Sequence, residues 1–476
     1  MYAGDPTIWS KPIMALQIYA AFAGLLMAYS HDQTPWSAVA GIALISYLVR
    51  DKKPREVLKL ALTFATIDGI SFWSFLLSGA DVFGVSWLMH VSFRIIFVMG
   101  LPYAYARPRL LPLTIASWWV AVEYTRTVLK LNPAPLGDAF AHQNWFIQIA
   151  DLGGTYLVSF ALTFIASSLA LAYHSKRVRA LIPAITMFLL CTSYSAFRLN
   201  ESPKTSESQP RKIAIMQAAL PTWFYGLAHG DQEFSNLLLT TYSDSLSKAP
   251  KDTDLLVWPE TALPWDPSKH EQLRNTLSST VHPNLIAGLP RHRLDGMNFN
   301  SAWFFPNSNS QPKSTVQYYD KRIKVPVVEA SLGHGKKANL LGPEQFKVAT
   351  IICWESVFPD LLAHATKSQF IAVLSDAGAL GRSNMAELHA RKTTLRAIER
   401  QRPTIHASQI GPSRLIDPKG RIVAQTTDWE TTLLEGQLDA GWKTESIYSK
   451  TKGGFAPVIS LLAFILLPLS IRAREQ

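Results

Sequence analysis

Cysteine is scarce in this sequence. Cys191 and Cys353 are the two cysteines among 476 residues. Cys191 lies in a long apolar stretch, whereas Cys353 ends the strand-like run VATIIC in a more polar part of the chain. Because these positions are poorly placed to bridge each other, we predict no disulfide. The polar part must therefore fold around its own hydrophobic core, which a segment of about 230 residues can build.

Motifs for metals, cofactors and nucleic acids are also missing. The twelve histidines include no HExxH motif and have no C-x-x-C companion, so we predict no metal and no cofactor. The net charge is +11, but no basic motif with interleaved aromatic residues occurs, and we expect no nucleic-acid partner. Much of the positive charge lies in short loops between apolar stretches, which favours an anionic membrane surface as the partner.

Long apolar runs fill most of residues 12–197 and return near the end of the chain. Apolar residues make up 48% of the sequence, and runs of roughly 20 apolar residues match the hydrocarbon thickness of a bilayer. The first run is interpreted as an uncleaved helix, since no convincing signal-peptide cleavage site follows it. We count eight candidate spans: 12–30, 36–49, 57–79, 83–105, 110–128, 154–173, 179–197 and 454–471.

The charges between these spans predict an orientation. RDKKPRE (50–56) has four basic residues and HSKRVR (174–179) has three, whereas the loops near 31–35 and 80–82 have none. Short cytoplasmic loops accumulate Lys and Arg. We therefore expect both termini in the cytoplasm and residues 199–453 on the opposite side, which in a Gram-negative cell is the periplasm.

The segment after the seventh span has an α/β pattern. Strand-like runs such as RKIAIMQ (211–217) alternate with helical stretches such as 231–248, which is typical of an α/β domain with a largely buried sheet. The domain prediction is a transmembrane bundle at 1–198, a linker at 199–210, an α/β domain at 211–441, and a last span with a cytoplasmic tail at 442–476.

Three strand ends in this domain have side chains capable of chemistry. LLVWPE ends at Glu260, VQYYDK ends at Lys321, and VATIIC ends at Cys353. Taken singly, each has an ordinary structural explanation: a turn carboxylate, a surface lysine and a small core residue. Together they gain weight, because neighbouring strand ends of one α/β sheet share an edge where ligands commonly bind.

The segments WPET, YDK and CWE resemble the Glu–Lys–Cys signature of the nitrilase, or carbon–nitrogen hydrolase, superfamily. With the flanking apolar spans, the chain is similar to the membrane-embedded branch of that superfamily, the apolipoprotein N-acyltransferases. WWVAVEYTR (118–126), VPVVEASL (325–332) and LRAIERQRP (395–403) resemble further segments of the family. The resemblance covers nearly the whole chain, and it implies an α-β-β-α sandwich joined to a polytopic helical membrane bundle.

The resemblance also implies roles for individual residues. Glu260 would be the general base, Lys321 the cation that faces the developing oxyanion, and Cys353 the nucleophile. The supporting residues would be Trp354, through its backbone N–H, Glu329, which would orient Lys321, and Glu355, which would shape the pocket or serve as a helix N-terminal carboxylate.

The implied reaction is a two-step acyl transfer at the bacterial inner membrane. A phospholipid would donate an acyl chain to Cys353 as a thioester, and the amine of a lipoprotein N-terminal cysteine would accept it. Membrane spans fit such substrates, because extracting acyl chains from a bilayer costs about 0.8 kcal/mol per CH₂.

Some positions depart from the family pattern. Ala379 and Leu380 stand where a WFG element has bulky aromatic residues, and Val328 replaces the glycine of a VPFGE segment. These changes spare the three catalytic residues and alter the rim of the site. Two alternatives therefore stay open: a TraB-type conjugal-transfer relative with a different substrate, and a membrane scaffold without catalysis.

Overall fold

The structure is a computed structural model of the chain. It describes residues 11–30, 34–72, 81–131, 134–201, 210–279, 283–307, 317–326, 328–343, 346–378, 385–439 and 445–475. The chain divides into two compact units, one formed by residues 1–196 and 453–476 and the other by residues 197–452.

The first unit is helical. Its apolar segments form helices because a helix satisfies its own backbone hydrogen bonds, which an apolar environment requires. The helices are α1 Lys11–Ser30, α2 Ser37–Leu48, α3 Pro54–Asp68, α4 Asp81–Ala104, α5 Leu111–Val128, the short α6 Leu136–Ala139 and α7 Asn144–Ile147, α8 Ala150–Ser175 and α9 Ile182–Asn200, with a last helix at Phe455–Glu475.

Some of these helices are apolar over the length of a membrane span. Within the described ranges, three reach the length and mean hydropathy needed to cross a bilayer: Trp87–Ala104, Ala150–Ser175 and Val178–Asn200. Met14–Ser30, Ser37–Leu48 and Phe455–Ile471 are apolar but shorter. The predicted span 57–79 lies partly outside the described residues. The count of eight spans is therefore not confirmed.

Charged side chains inside the first unit lie close to opposite charges. Nε of Arg94 is 2.7 Å from Oδ2 of Asp68, and both side chains are buried. Nε2 of His90 contacts the same oxygen at 2.8 Å. Pairing of this kind is expected where a helix must bury charge in an apolar bundle.

The second unit contains two six-stranded sheets. The first sheet has the order β12-β1-β2-β3-β4-β5, and the second has the order β11-β10-β9-β8-β7-β6. The strands are β1 Arg211–Gln217, β2 Leu255–Trp258, β3 Asn284–His292, β4 Asn298–Phe305, β5 Gln317–Asp320, β6 Leu340–Leu341, β7 Val348–Ile352, β8 Phe370–Ser375, β9 Thr404–Ser408, β10 Arg414–Ile416, β11 Ile422–Gln425 and β12 Thr432–Leu438.

Helices cover the outer faces of these sheets. They are α10 Thr222–Leu227, α11 Gln232–Lys248, α12 Glu271–Ser279 and α13 Met385–Arg400. The short helix α14 Ile447–Lys450 follows in the second unit, and the last helix of the first unit, Phe455–Glu475, is α15. Two 3₁₀ segments, Cys353–Val357 and Pro359–Lys367, connect β7 to β8.

The two sheets pack face to face, and their side chains alternate between two cores. Ile213 and Ile215 of β1 enter the core between the sheets together with Phe370 and Leu374 of β8. Ala214, the residue between the two isoleucines, packs against the helices outside the first sheet. Strands that are buried on both faces need apolar residues at successive positions, which explains the continuous apolar runs in the sequence. The result is an α-β-β-α sandwich, and the prediction of an α/β domain with a largely buried sheet is confirmed.

Candidate active site

The three predicted catalytic residues lie one or two residues after strands of both sheets. Glu260 comes after β2, Lys321 after β5 and Cys353 after β7. The expectation that these strand ends share one sheet edge is wrong, because β7 belongs to the second sheet whereas β2 and β5 belong to the first. The residues meet because the sheets pack face to face, so that one end of the sandwich collects side chains from both layers.

Cys353 lies at a strained turn. The backbone φ of this residue is +47°, a left-handed conformation that residues other than glycine rarely adopt. The turn joins β7 to the 3₁₀ segment Cys353–Val357, and Cys353 as a whole is half-buried. Strain of this kind is found where the surrounding structure fixes a functional side chain in one orientation.

Lys321 is held between two carboxylates. Its Nζ lies 3.0 Å from Oε1 of Glu260 and 2.9 Å from Oε1 of Glu329, and the residue is 2% exposed. Nδ2 of Asn300, on β4, donates to the same two oxygens at 2.7 and 3.0 Å. The second oxygen of Glu260 accepts the backbone N–H of Asp376 at 2.8 Å. The carboxylate of Glu260 is thus fixed from three directions.

A close approach of β3 also positions Glu260. A Cβ on Gly288 would lie 2.3 Å from the carbonyl oxygen of Pro259 and 2.6 Å from Cα of Glu260. Only glycine leaves room for the backbone there. The next residue, Thr261, has a φ of +54°, so the chain turns sharply just after the carboxylate.

The surroundings set the protonation states of these groups. Burial alone would lower the pKa of Lys321, but Glu260, Cys353 and Glu329 outweigh it and raise that pKa, so the ammonium stays charged. Burial raises the pKa of the Cys353 thiol, and the Glu260 carboxylate raises it further, whereas Lys321 acts in the opposite direction. The resting thiol is therefore protonated at neutral pH and needs a base before it can attack.

Glu355 connects the loop after Lys321 to the turn of Cys353. One of its oxygens accepts the backbone N–H groups of Arg322 at 2.6 Å and Ile323 at 3.1 Å, and the other accepts that of Ile352 at 2.8 Å. The hydroxyl of Tyr319 donates to both oxygens. Glu355 is completely buried and lies in the first turn of the 3₁₀ segment. Glu355 therefore joins two backbone segments from a position in the first turn of that 3₁₀ segment.

The remaining predicted positions lie around this centre or outside the described residues. The indole ring of Trp354 packs edge-on against Phe358, and its Nε1 is buried without a hydrogen-bond partner among the residues that the structure describes. Val328 is exposed. Ala379 and Leu380 lie outside the described residues.

Sequence reasoning missed three residues at the site: Asn300, Asp376 and His389. Nε2 of His389, on α13, is 3.1 Å from the carbonyl oxygen of Cys353 and 3.0 Å from Oγ of Ser356. Burial lowers the pKa of His389 to about 4, so the ring is neutral at pH 7. Asp376 directly follows β8, and the rule that singled out the other strand ends could have found it. Asn300 gives no such signal, because it lies inside a strand.

Chemically, the site combines a thiol, a nearby carboxylate and a fixed ammonium. This set suits covalent attack on a carbonyl carbon, with the carboxylate moving protons and the ammonium facing developing negative charge. Within the described ranges, no group of three or more His, Cys, Asp or Glu side chains could hold a metal ion.

Comparisons with known proteins identify two family regions. Residues 212–444 match the family model described as carbon-nitrogen hydrolase, and residues 23–168 match the one described as apolipoprotein N-acyltransferase N-terminal domain. The matches fall on the α/β part and on the apolar part of the sequence, respectively.

Similar proteins include two bacterial apolipoprotein N-acyltransferases and a yeast protein of known structure. The apolipoprotein N-acyltransferase of Pseudomonas putida is 26% identical, with 90% of this chain and 91% of the relative covered. The Rickettsia prowazekii protein of the same name is 27% identical, with coverage of 73% and 74%. Among solved structures, Saccharomyces cerevisiae Nit3 of the nitrilase superfamily matches 52% of this chain and 96% of its own, at 18% identity and a TM-score of 0.39.

Proposed function

This chain is an apolipoprotein N-acyltransferase-like protein of the nitrilase superfamily, and we propose that it transfers an acyl chain from a phospholipid to the amine of a lipoprotein N-terminal cysteine. The relatives that carry this name support the reaction class. The observation that carries the proposal is the ammonium of Lys321 between Glu260 and Glu329, beside a cysteine at a strained turn.

In the first step, Glu260 takes the proton of the Cys353 thiol. The thiolate attacks the ester carbonyl carbon of the phospholipid, and the negative charge that develops on the carbonyl oxygen faces the ammonium of Lys321. A preorganised charge of this kind stabilises the transition state and contributes much of the rate acceleration in acyl transfer. The carbon–oxygen bond then breaks, Glu260 returns its proton to the departing alkoxide, and a lysophospholipid leaves. Cys353 keeps the acyl chain as a thioester.

In the second step, the amine of the acceptor attacks the thioester carbonyl carbon. The carbon–sulfur bond breaks and an amide bond forms. Glu260 takes a proton from the attacking nitrogen and gives it to the sulfur of Cys353, which restores the resting site. In this scheme, Glu329 and Asn300 hold the ammonium and the base, and Glu355 fixes the two backbone segments.

The proposal includes a location in the bacterial inner membrane, with the catalytic domain on the periplasmic side. The apolar helices and the named relatives support an inner-membrane protein. The alternation of basic and uncharged loops supports a bundle of eight spans with both termini in the cytoplasm. The domain bounds that we propose are 1–198, 199–210, 211–441 and 442–476.

The experiment is mass spectrometry of the intact purified protein after incubation with a phospholipid. We expect a mass increase of one acyl chain, located on Cys353 by peptide mapping, and its loss when a peptide with a diacylglyceryl N-terminal cysteine is added. Rescue of a strain depleted of its lipoprotein acyltransferase tests the acceptor in cells. Ammonia release from an amide without an acyl adduct would indicate an amidase, and neither activity would indicate a scaffold.

The comparisons do not favour a conjugal-transfer function. The two relatives described above carry the name of the lipoprotein enzyme. A distinct substrate would show itself in the rescue experiment as an acylated Cys353 without lipoprotein maturation.

A further inference from the structure

Asp376 lies next to the proposed base and beside the proposed nucleophile. Strands β7 and β8 are parallel, and Ile352 pairs with Leu374. Asp376 therefore comes one residue beyond the level of Cys353 on the neighbouring strand. Its backbone N–H donates to Oε2 of Glu260 at 2.8 Å. No step of the proposed mechanism uses its side chain.

The carboxylate of Asp376 is held by one of its two oxygens. Oδ1 accepts the backbone N–H of Gly378 at 2.8 Å, and in the described part of the chain this is the one hydrogen bond that the carboxylate makes. A Cβ on Gly378 would lie 2.9 Å from that oxygen and 2.2 Å from Oγ1 of Thr222. Asp376 is half-buried, so part of this residue is open to a ligand.

Three carboxylates lie around the ammonium of Lys321 in the described part of the chain. Lys321 forms ion pairs with Glu260 and Glu329, and its charge also acts on the carboxyl group of Asp376. These four groups together have a formal charge of −2, and local negative charge of this kind attracts a cation.

We propose that Asp376 binds the primary ammonium of the acyl acceptor and takes the first of the two protons that this group must lose. This inference rests on the proposed acyl transfer. A phospholipid ester brings no such proton to the first step, whereas an N-terminal amine is largely protonated at neutral pH, with a pKa of about 8. An ammonium nitrogen has no lone pair and cannot attack.

The proton balance of the second step is then complete. The ammonium gives one proton to Asp376, which releases it to water, and the neutral nitrogen attacks the thioester carbonyl carbon. As the amide bond forms and the carbon–sulfur bond breaks, the second proton passes through Glu260 to the sulfur of Cys353. Asp376 thus accepts the first proton, and Glu260 transfers the second.

The surroundings of Asp376 suit this task. Burial raises its pKa to about 6, and the neighbouring carboxylate of Glu260 acts in the same direction. A proton acceptor works better when its pKa approaches that of the donor. The pKa of Asp376 is thus closer to that of an α-ammonium than an ordinary aspartate pKa would be.

The test compares Asp376→Asn with the wild-type protein in separate half-reactions. Asparagine keeps the backbone N–H and a side-chain oxygen for Gly378, but it removes the charge. After Cys353 is acylated by phospholipid, the acyl-enzyme is offered either a diacylglyceryl peptide with a free ammonium or hydroxylamine, which is uncharged at neutral pH. We expect the KM for the peptide to rise at least tenfold. The ratio of transfer to the peptide over transfer to hydroxylamine should fall at least tenfold.

Two results would overturn the inference. In one, Asp376→Asn transfers acyl chains to the peptide and to hydroxylamine at the wild-type rates. In the other, both transfers are slowed equally, which leaves their ratio unchanged and would indicate a general structural effect. If the wild-type protein forms no acyl-enzyme, the proposed function fails instead. Gly378→Ala adds a Cβ that would lie 2.2 Å from Oγ1 of Thr222 and 2.9 Å from Oδ1 of Asp376, so it crowds the carboxylate without changing its charge. It should lower the ratio in the same direction. Asp360→Asn, an exposed aspartate after the nucleophile segment, is the matched control and should leave the ratio unchanged.

Discussion

Lys321 and Glu329 form a buried ion pair with an Nζ–Oε1 distance of 2.9 Å, and the same oxygen of Glu329 accepts a hydrogen bond from Asn300. Glu329 is also bound by the backbone N–H of Val325 at 2.7 Å. The ammonium therefore has little freedom to move. A cation that is already oriented needs no reorganisation when negative charge develops beside it.

Lys321→Ala should impair the chemical step far more than Lys324→Ala. Lys321 is enclosed by two carboxylates, whereas Nζ of Lys324 donates to the backbone carbonyls of Ala330 and Leu332 at a half-exposed position. Removing one preorganised electrostatic contact costs roughly 10²–10³ in kcat. Single-turnover acylation of Cys353 measures the effect. The reverse ranking of the two variants would mean that the wrong lysine of YDKRIK has been assigned.

Cys353→Ala should abolish the acyl adduct and all turnover while the protein still inserts into the membrane. The reason is that no other described thiol lies at the site, since Cys191 is buried in the first unit. Cys191→Ala is therefore the matched control and should keep wild-type turnover. Intact mass spectrometry and a membrane-fraction assay provide the measurements. Full turnover in Cys353→Ala would remove the mechanism.

Glu355→Ala should destabilise the second unit by about 3 kcal/mol or more, because buried donors lose a charged acceptor. The backbone N–H groups of Arg322 and Ile352 and the hydroxyl of Tyr319 would be left without it. Thermal unfolding of the full chain in detergent measures the loss. Glu271→Ala, at an exposed helix position, should change the melting temperature little. Equal melting temperatures for both variants would contradict the assigned role.

His389 should make the folded state sensitive to acid. Burial lowers its pKa from 6.5 to about 4, so between these values the unfolded chain binds a proton that the folded chain does not. Stability is then complete above pH 6.5 and is lost as the pH falls toward 4. The contribution is on the order of 3 kcal/mol.

The measurement for His389 is the difference in melting temperature between pH 7 and pH 4.5. In His389→Asn this difference should be smaller than in the wild-type protein, even if the variant is less stable at pH 7. Buried His406, whose pKa is also lowered by burial and by His389, remains in both proteins. An unchanged difference would show that His389 does not titrate in this range.

Much of the fold could be predicted from the sequence because hydrophobic patterns reflect burial. The apolar stretches predicted the helical unit, and strand-like runs alternating with helices predicted the α/β domain. The number of membrane spans does not follow from the same patterns. Helix α3 carries charges such as Arg55 and Lys59, and mean hydropathy alone does not separate a span from a buried helix in such cases.

The site was harder to predict than the fold, because its geometry depends on which strands share a sheet. Strand ends identified Glu260, Lys321 and Cys353 as candidates, but they suggested one sheet where there are two. A strand pattern reveals which residues are buried, and it contains no information on which sheet a strand joins. That choice depends on long-range pairing between segments that are far apart in the chain.

The sequence by itself determined which chemical groups the protein has: one thiol outside the apolar stretches, and a lysine and several carboxylates that follow strands. Only the tertiary structure decided that Asn300 bridges two of those carboxylates and that Asp376 adjoins the base. The physical reason is that each functional group belongs to a single side chain and can be read from the residue type. Their separation in space, by contrast, results from the packing of two sheets and from backbone N–H groups that have no sequence signature.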